Sequence, residues 1–536
     1  MTAQTVHGAF ADTARRHPDR AFLNVLPETA QIYDIDAGEL TYAAAAAEVA
    51  ALGDRIAAAG YQPGQRVLLL MENRPAFFLW WLALNGLGLS VVPVNPDLRA
   101  AELSYMIGHA EPVLAVALPD RVEDLRRAAE VAELEMAVIA PEDPLPAPAT
   151  REAIATGTGA AAEAALLYTS GTTGKPKGCI LTNTYFLEAG QWYATTGGLC
   201  ALTTDGERMI TPLPIYHMNA MAYSFMAMIA VGGCLTILDR FHPRSWWASV
   251  RSSGATCLHY LGVMPSMLMG ADPSADDRAH SVRFGFGAGV DPRLHADFED
   301  RFGFPLIEAW AMTETGAGAV ICANRLPRLV GESCLGTPEA PLEARLIDDA
   351  GNPSDHGELQ VRRQGDDPRH GFFAGYFKDA AATDEAWKDG WFHTGDIVRK
   401  DEEGRMFFVD RKKNVIRRSG ENIAAVEVES TLARHPAIAG VAVAAVPDAV
   451  RGDEVFACIV PKTPPADAAA LAREITEWCL TQLAYYKAPG YIAFIDALPL
   501  TATQKLQRAA LGARARDLLD AAGTVDLRDL KKRTAP

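Results

Sequence analysis

The chain has 536 residues, which is too long for a single hydrophobic core and predicts several domains. Apolar residues make up 49% and charged residues 22%, with a mean hydropathy of +0.01, so a disordered, collagen-like or wholly membrane-embedded chain is excluded. The formal charge of −17 would repel the phosphates of DNA and RNA, so we expect no nucleic-acid partner.

The cysteines and the N-terminus indicate a reducing compartment. The eight cysteines are scattered, with no CxxC pair and no metal-ligand spacing, so we expect neither disulfides nor zinc. Residues 1–20 carry charges where a signal peptide needs an apolar segment, and neither end has a lipidation motif. We therefore expect a cytoplasmic protein.

Up to about residue 400, helical segments alternate with short apolar strands, which predicts α/β layers with parallel sheets. The predicted strands are 66–71, 112–118, 135–141, 165–170, 207–214 and 256–262. Two uncharged runs, 76–94 and 217–238, are long enough to span a membrane. Each has glycines between an apolar helix and a β-rich segment, so we interpret it as a buried helix followed by a buried strand.

The pattern changes toward the end of the chain. Short strands with turns at 342–363 predict a small antiparallel subdomain, and the later helix, strand and helix predict a small α+β domain. Between them lies a run of basic residues, 411–418, which is either a charged hinge or the solvated face of a strand.

The segment with the clearest chemistry is 168–178, YTSGTTGKPKG. A short apolar strand leads into glycines, hydroxyl residues and two lysines, a composition that suits a polyphosphate because amides, hydroxyls and ammonium groups all bind anionic oxygens. Pro176 follows Lys175 where a Walker A loop needs Ser or Thr, so a P-loop NTPase is disfavoured. The alternative is a flexible turn without a ligand.

The distribution of lysines argues against that alternative. The chain has only 12 lysines against 38 arginines, and the only two before Phe377 are Lys175 and Lys177. Within residues 1–377, lysine therefore occurs only where phosphate binding is predicted.

These residues resemble the phosphate-binding signature of the adenylate-forming superfamily, which contains acyl-CoA synthetases, luciferases and the adenylation domains of peptide synthetases. Six further blocks match that superfamily in order: LPIYHMNA (213–220), FGAGVDP (286–292), EAWAMTETG (308–316), GWFHTGD (390–396), VDRKKNVIRRSGEN (409–422) and LPLTATQKLQR (498–508). The chain looks most similar to the crotonobetaine/carnitine-CoA ligase-like branch.

The resemblance implies an α/β fold with two domains. A large N-terminal body of layered parallel sheets, with helices and a small antiparallel subdomain, is expected at 1–410. A hinge at 411–414, centred on Lys413, would precede a small mobile α+β domain at 415–536. Rotation of that domain would bring the loop 419–422 to the active site for the second half of the reaction.

The resemblance also implies the site residues. The expected cofactor-binding residues are Thr169, Ser170, Gly171, Thr172, Thr173, Gly174, Lys177, Gly287, Ala288, Gly289, Trp310, Ala311, Met312, Asp396, Arg411, Ser419, Gly420 and Glu421. Within this set, Trp310 would cover one face of adenine, although plain core packing is the alternative, and Asp396 and Arg411 would hold the ribose. Family members usually have Tyr and Gly where this chain has Trp310 and Ala311, which indicates a slightly reshaped adenine pocket.

Four residues are expected to be catalytic: Lys505, Thr313, Glu314 and Lys175. Glu314 would hold Mg²⁺, and Thr313 would contact the α-phosphate. Lys505 would neutralise charge between the attacking carboxylate and the α-phosphate. Here Gln504 precedes it where the family commonly has glycine. His217 is expected at the wall of the acid pocket, with Met218 and Met264 as adaptable lining.

The implied function is an AMP-forming acyl-CoA ligase that uses ATP, Mg²⁺ and coenzyme A. A small or medium carboxylic acid would form an acyl adenylate and then a thioester. Two alternatives stay open, namely transfer to the phosphopantetheine of a carrier protein and a nucleotide-binding pseudoenzyme. The acid and the oligomeric state, for which a homodimer is one option, are not fixed by the sequence.

Overall fold

A computed structural model describes residues 3–150, 157–169, 176–348, 350–411, 415–499 and 506–532. The chain divides into two compact units, which are both discontinuous in sequence. The large unit contains residues 1–96, 110–167 and 178–410. The small unit contains residues 97–109, 168–177 and 411–536.

The α-helices are α1 (Val6–Arg16), α2 (Pro27–Tyr33), α3 (Tyr42–Ala59), α4 (Pro75–Gly86), α5 (Ala100–Ala110), α6 (Val122–Val131), α7 (Asn183–Thr195), α8 (Met226–Val231), α9 (Trp246–Ser253), α10 (Val263–Met269), α11 (Pro292–Phe302), α12 (Ala380–Ala386), α13 (Ala425–Leu432), α14 (Ala468–Gln482) and α15 (Arg508–Leu519). A π-helix, Asn219–Phe225, runs directly into α8.

The strands are β1 (Ala21–Val25), β2 (Gly38–Thr41), β3 (Arg66–Leu70), β4 (Ser90–Pro93), β5 (Leu114–Ala117), β6 (Ala137–Ile139), β7 (Glu163–Thr169), β8 (Lys177–Thr182), β9 (Arg208–Thr211), β10 (Cys234–Ile237), β11 (Cys257–Leu261), β12 (Phe284–Ala288), β13 (Leu306–Trp310), β14 (Ile321–Cys322), β15 (Cys334–Gly336), β16 (Leu342–Ile347), β17 (His356–Arg363), β18 (Gly375–Tyr376), β19 (Trp387–Lys388), β20 (Trp391–Lys400), β21 (Met406–Arg411), β22 (Val415–Arg418), β23 (Glu421–Ala424), β24 (Ile438–Asp448), β25 (Gly452–Pro461), β26 (Tyr491–Phe494) and β27 (Thr524–Asp526).

Two largely parallel sheets form most of the large unit. The eight-stranded sheet has the order β14-β13-β12-β11-β9-β10-β1-β2, and its strands are parallel from β13 to β1. The seven-stranded sheet has the order β18-β8-β7-β4-β3-β5-β6, with parallel pairs from β7 to β6. The expected α/β layers are confirmed, since helices connect these parallel strands.

Both long uncharged runs form a helix followed by a strand. The first gives α4 and β4. Residues 77–85 of α4 are buried on every side of the helix, as expected for a predominantly apolar helix. The second gives the π-helix, α8 and β10, with Gly232 at φ 65° ending α8 in the left-handed conformation that glycine favours. No helix in the described part of the chain is long and apolar enough to cross a membrane.

Side chains on the eight-stranded sheet alternate between two cores, as the period of a strand requires. Cys257, Phe286 and Ile307 belong to one core, whereas Leu258, Tyr260 and Leu306 belong to the other. The same strands therefore bury apolar side chains on both faces, which is typical of a parallel sheet covered by helices.

A third sheet of the large unit is antiparallel and has the order β15-β21-β20-β17-β16. Its β16 and β17 pair over six residues, from Leu342 opposite Arg363 to Ile347 opposite Glu358. The antiparallel subdomain predicted at 342–363 is confirmed, and it extends to β20 and β21, which carry the HTGD segment and its flank.

The small unit is built on a sheet of order β23-β22-β25-β26-β27, with β24 paired to β25. The end of the basic run forms β22, and a two-residue turn at Ser419 (φ 50°) and Gly420 (φ 90°) joins it to β23. The expected loop 419–422 is thus a tight hairpin. The predicted hinge residue Lys413 lies outside the described residues.

A buried ion cluster joins helix α5 to the C-terminal part of the small unit. The ammonium of Lys487 lies 2.6 Å from Glu102 Oε1 and 2.8 Å from Glu427 Oε1. Burial alone would lower the pKa of Lys487, but the two carboxylates outweigh it and raise that pKa above the usual value. Lys487 is therefore charged, and its charge is shared between two segments that are far apart in sequence.

Candidate active site

Three predicted site segments lie at one edge of the eight-stranded sheet. Strands β9, β11, β12 and β13 are adjacent and parallel, so their carboxyl ends share an edge. His217 follows β9, residues 287–289 lie at the end of β12, and residues 310–314 lie at the end of β13. The carboxyl edge of a parallel sheet is where ligands bind in open α/β folds.

The flanks of the predicted phosphate loop lie on adjacent strands of the seven-stranded sheet. Thr169 ends β7 and Lys177 begins β8, and both are partly exposed. Residues Ser170, Gly171, Thr172, Thr173, Gly174 and Lys175 lie outside the described residues.

The Thr313–Glu314 pair is held by two tyrosines. Tyr376 donates its hydroxyl to Glu314 Oε1 at 2.8 Å, and Tyr185 donates to the backbone carbonyl of Thr313 at 2.9 Å. Burial, reinforced by Glu314, raises the pKa of Tyr376, so this phenol stays protonated and remains a donor. The carboxylate of Glu314 is 7% exposed and fixed in position.

Trp310 and Asp396, predicted to contact the two parts of one nucleoside, touch each other. The indole Nε1 of Trp310 donates to Asp396 Oδ2 at 2.8 Å across 86 residues of sequence. Both are buried, at 5% and 1% exposure. Trp310 therefore supplies a hydrogen bond to the predicted ribose carboxylate, and its ring also belongs to the buried core of the large unit.

The backbone of the glycine segment, residues 287–290, is fixed by the buried Glu308. A Cβ on Gly287 would lie 2.2 Å from the carbonyl oxygen of Tyr260, so only glycine fits there. Glu308 accepts hydrogen bonds from the amides of Gly289 and Val290 and from the Tyr260 hydroxyl, all at 3.0 Å. Burial raises the pKa of Glu308, and the three donors oppose that rise. This carboxylate fixes the course of the segment after β12.

The three predicted acid-pocket residues do not share one environment. His217 and Met218 are partly exposed in the segment 216–219, and Met218 packs against the core that contains Phe286. Met264 is 2% exposed and belongs to the other core, with Leu258 and Tyr260. The structure therefore groups His217 with Met218 and places Met264 on the opposite face of the sheet.

The remaining predicted residues are only partly described. Ala311 and Met312 are partly exposed and pack beside Trp310 in the same core, and Ala288 is partly exposed at the end of β12. Arg411 ends β21, but its side chain lies outside the described atoms. Lys505 lies outside the described residues. Glu421 begins β23, after the turn formed by Ser419 and Gly420.

Sequence reasoning missed the residues that hold the site together. Tyr185, Tyr260, Glu308 and Tyr376 each fix a predicted site residue or its backbone, but they come from distant parts of the chain. Glu308 stood inside a recognised block, so a buried carboxylate within an apolar strand was an available signal. The tyrosines gave no comparable signal, because tyrosine is common in apolar strands and helices.

Comparison with known proteins identifies the family. The model of the AMP-binding enzyme family matches residues 10–377, and that of the AMP-binding enzyme C-terminal domain matches residues 427–505. The chain belongs to the AMP-binding enzyme family. It is 33% identical over 518 residues to a sulfoacetate–CoA ligase of Cupriavidus necator, covering 94% of this chain and 96% of that protein. It is 30% identical over 469 residues to a crotonobetaine/carnitine–CoA ligase of Escherichia coli, covering 84% and 88%.

Solved structures agree on the fold of this AMP-binding enzyme. An o-succinylbenzoate–CoA synthetase from Bacillus subtilis superposes with a TM-score of 0.77 at 23% identity, over 97% of this chain and 99% of that one. A malonyl-CoA ligase with methylmalonyl-CoA and AMP bound gives 0.72 at 26% identity, over 90% and 97%. The predicted fold class is confirmed, and so is the predicted enzyme class, an AMP-forming acid–CoA ligase.

Proposed function

We propose that this enzyme activates a small or medium carboxylic acid with ATP and transfers the acyl group to coenzyme A. The acid carboxylate would attack the α-phosphate of ATP, releasing pyrophosphate and leaving an acyl adenylate. The thiol would then attack the acyl carbon and release AMP. One observation supports this most strongly. The predicted nucleotide and acid segments lie along the carboxyl edge of the eight-stranded sheet, and Trp310 is hydrogen-bonded to Asp396.

The uncharged hydrogen-bond donor beside Glu314 suits a role of this carboxylate in magnesium binding. Among the described residues, Glu314 accepts a hydrogen bond from the Tyr376 phenol and makes no ion pair with a basic side chain, so none of them cancels its negative charge. A single carboxylate suits Mg²⁺, which in nucleotide sites takes one or two protein carboxylates and completes its shell with phosphates and water. We propose that Glu314 holds the ion, whose role when bound is to neutralise phosphate charge.

The residues of this chain would mainly bind and orient. Trp310 would cover adenine while its Nε1 holds the Asp396 carboxylate toward the ribose hydroxyls. Thr313 would donate to the α-phosphate from a backbone that Tyr185 fixes. Lys175 and Lys505 would supply positive charge to the phosphates, and such positioning with charge neutralisation is the main source of catalysis in phosphoryl-type transfer.

The proposal also includes a large domain that ends at 410, a hinge at Lys413 and a small domain that begins at 415. Residues 415–536 would rotate between the two half-reactions. The tight turn at Ser419 and Gly420 lies within the part proposed to rotate, and the Ser419 amide donates to the backbone carbonyl of Arg451 at 2.9 Å. A homodimer and a cytoplasmic location also remain proposals.

Product analysis tests the proposal. Purified enzyme with ATP, Mg²⁺, coenzyme A and each of a panel of carboxylic acids is expected to yield AMP, pyrophosphate and acyl-CoA in equal amounts. Release of ADP and phosphate, or thioester formation without AMP, would contradict it. Replacing coenzyme A with a phosphopantetheinylated carrier protein separates the two acceptors, and faster transfer to the carrier would favour that alternative.

A further inference from the structure

A neutral hydrogen-bond network lies directly behind the segment 216–219. His259, in the middle of β11, is completely buried. Its Nδ1 lies 2.7 Å from Asn219 Oδ1 and 2.9 Å from Ser224 Oγ, and its Nε2 lies 3.1 Å from the Tyr193 hydroxyl. Three residues from two elements, the π-helix and α7, therefore converge on one imidazole ring.

The chemistry of these groups fixes the positions of the protons. A carboxamide oxygen can only accept, so Nδ1 of His259 carries the proton and donates it to Asn219. Nε2 is then the acceptor of the Tyr193 hydroxyl proton. Burial lowers the pKa of His259 to about 3, so the ring is neutral and keeps this single arrangement at ordinary pH.

Asn219 stands at the boundary between exposed and buried chain. Residues 216–219 are partly exposed, whereas Ala220 and Met221, the next two residues of the π-helix, are 1% and 0% exposed. The amide oxygen of Asn219 points inward to His259. Its Nδ2 donates to no group within the described part of the chain, so the open end of the amide offers two N–H donors.

The Nδ2 group of Asn219 lies on the face of the eight-stranded sheet where the acid pocket is expected. Asn219 follows His217 by two positions, and its partner His259 packs against Phe286, with ring centroids 5.4 Å apart. Phe286 in turn contacts Trp192, which is partly exposed. Irregular π-helical turns are also frequent at functional sites.

We propose that Asn219 is a specificity-determining residue, which donates an Nδ2 hydrogen bond to an oxygen carried on the acyl chain of the acid. His259 is the positioning residue that holds the amide in this orientation. The inference rests on the proposed function and narrows the substrate class to acids with an oxygen acceptor beyond the carboxylate. A site with a fixed donor rejects an analogue that lacks the acceptor, because the donor is then left unpaired.

Two pairs of acids test the selectivity. Propanoate is compared with sulfoacetate, and pentanoate with 4-oxopentanoate, by pyrophosphate release. In the unmodified enzyme, kcat/KM is expected to be about tenfold higher for the oxygen-bearing acid of at least one pair. In Asn219→Leu the ratio falls to about twofold or less, while the KM for ATP is unchanged. Gln31→Leu, which removes an exposed amide on α2, is the matched control.

A separate set of variants tests the positioning role of His259. His259→Leu removes the donor to Asn219 and is expected to lower the ratio, whereas His259→Gln, whose amide can donate in its place, retains most of it. In the Asn219→Leu background, His259→Leu should change the ratio no further, because the two residues act through one hydrogen bond. Amide hydrogen exchange of β11 shows whether each variant is folded.

The outcomes are distinct. An unchanged ratio in folded Asn219→Leu, or a preference of the unmodified enzyme for the apolar acid of both pairs, overturns the inference and leaves the proposed function intact. Independent effects of the His259 and Asn219 substitutions overturn the positioning role. Absence of pyrophosphate release with all four acids contradicts the proposed function itself.

Discussion

Two groups of buried carboxylates, one beside the candidate site of the large unit and one in the small unit, are held in opposite ways. Around the candidate site of the large unit, Glu308 and Glu314 accept hydrogen bonds from backbone amides and tyrosine hydroxyls. In the small unit, Glu102 and Glu427 are paired with Lys487, and Glu454 with Arg418 at 2.7 Å and with Lys531. Neutral donors fix a carboxylate without cancelling its charge, whereas ion pairs cancel it.

This difference has a physical consequence for stability and for function. A buried ion pair balances a large desolvation cost against Coulomb attraction, so it is stable only while all partners are present. A carboxylate held by neutral donors keeps a negative potential that can attract a cation or a hydroxyl. We therefore expect the ion clusters to maintain the small unit and the neutral networks to serve binding in the large unit.

The largest expected effect comes from breaking the ion cluster. Lys487→Met leaves Glu102 and Glu427 buried and uncompensated, so the small unit should lose about 3–5 kcal/mol of stability. Amide hydrogen exchange of α13, α14 and β25 measures this locally. Lys462→Met, at an exposed position, is the control and should change little. Unaltered protection in Lys487→Met would show that the cluster is energetically neutral.

The neutral network of His259 should respond to pH instead. The folded pKa of about 3 lies below the ordinary value of 6.5, so the unfolded chain binds more protons between those values. Stability is therefore full above pH 6.5 and is lost as pH falls, by about 3 kcal/mol at pH 4. Urea unfolding of the large unit from pH 7 to pH 4 measures the slope. His259→Gln should flatten it, and an equal slope in that variant would disprove this assignment.

A smaller effect is expected at the glutamate under the glycine segment. Glu308→Gln places an amide N–H against donors that need an acceptor, which should cost about 2 kcal/mol. The matched variant Tyr260→Phe removes only one of the three donors and should cost less. Hydrogen exchange at Gly289 and Val290 reports the change, and equal effects of both substitutions would argue against the anchoring role of the carboxylate.

The smallest effect is expected at the indole. Trp310→Phe keeps an aromatic ring but removes the donor to Asp396, so the KM for ATP should rise by about threefold to tenfold while kcat changes little. Trp247→Phe, in the core beside Phe302, serves as a control for loss of an indole. An unchanged KM for ATP in Trp310→Phe would show that the hydrogen bond plays no part in nucleotide binding.

The features that could be predicted from the sequence are those encoded in short motifs and in hydrophobic periodicity. The alternation of helices and strands, the interpretation of 76–94 and 217–238 as helix plus strand, and the family itself were all accessible. The contacts Lys487–Glu102, Trp310–Asp396 and Tyr376–Glu314 were not, because each joins residues that are distant in sequence and whose proximity depends on the complete fold. His259 gave a partial signal, since a lone histidine within an apolar strand must find hydrogen-bond partners when buried.

In the proposed function, adenylation and thioester formation are separate half-reactions, and Lys505 serves the first. The direct test compares the two halves in Lys505→Ala. We predict that acid-dependent exchange of labelled pyrophosphate into ATP is lost, while conversion of pre-made acyl adenylate and coenzyme A to thioester is retained. Unimpaired exchange in Lys505→Ala would contradict the role of Lys505. Exchange that needs no acid in the unmodified enzyme would contradict the acyl-adenylate route.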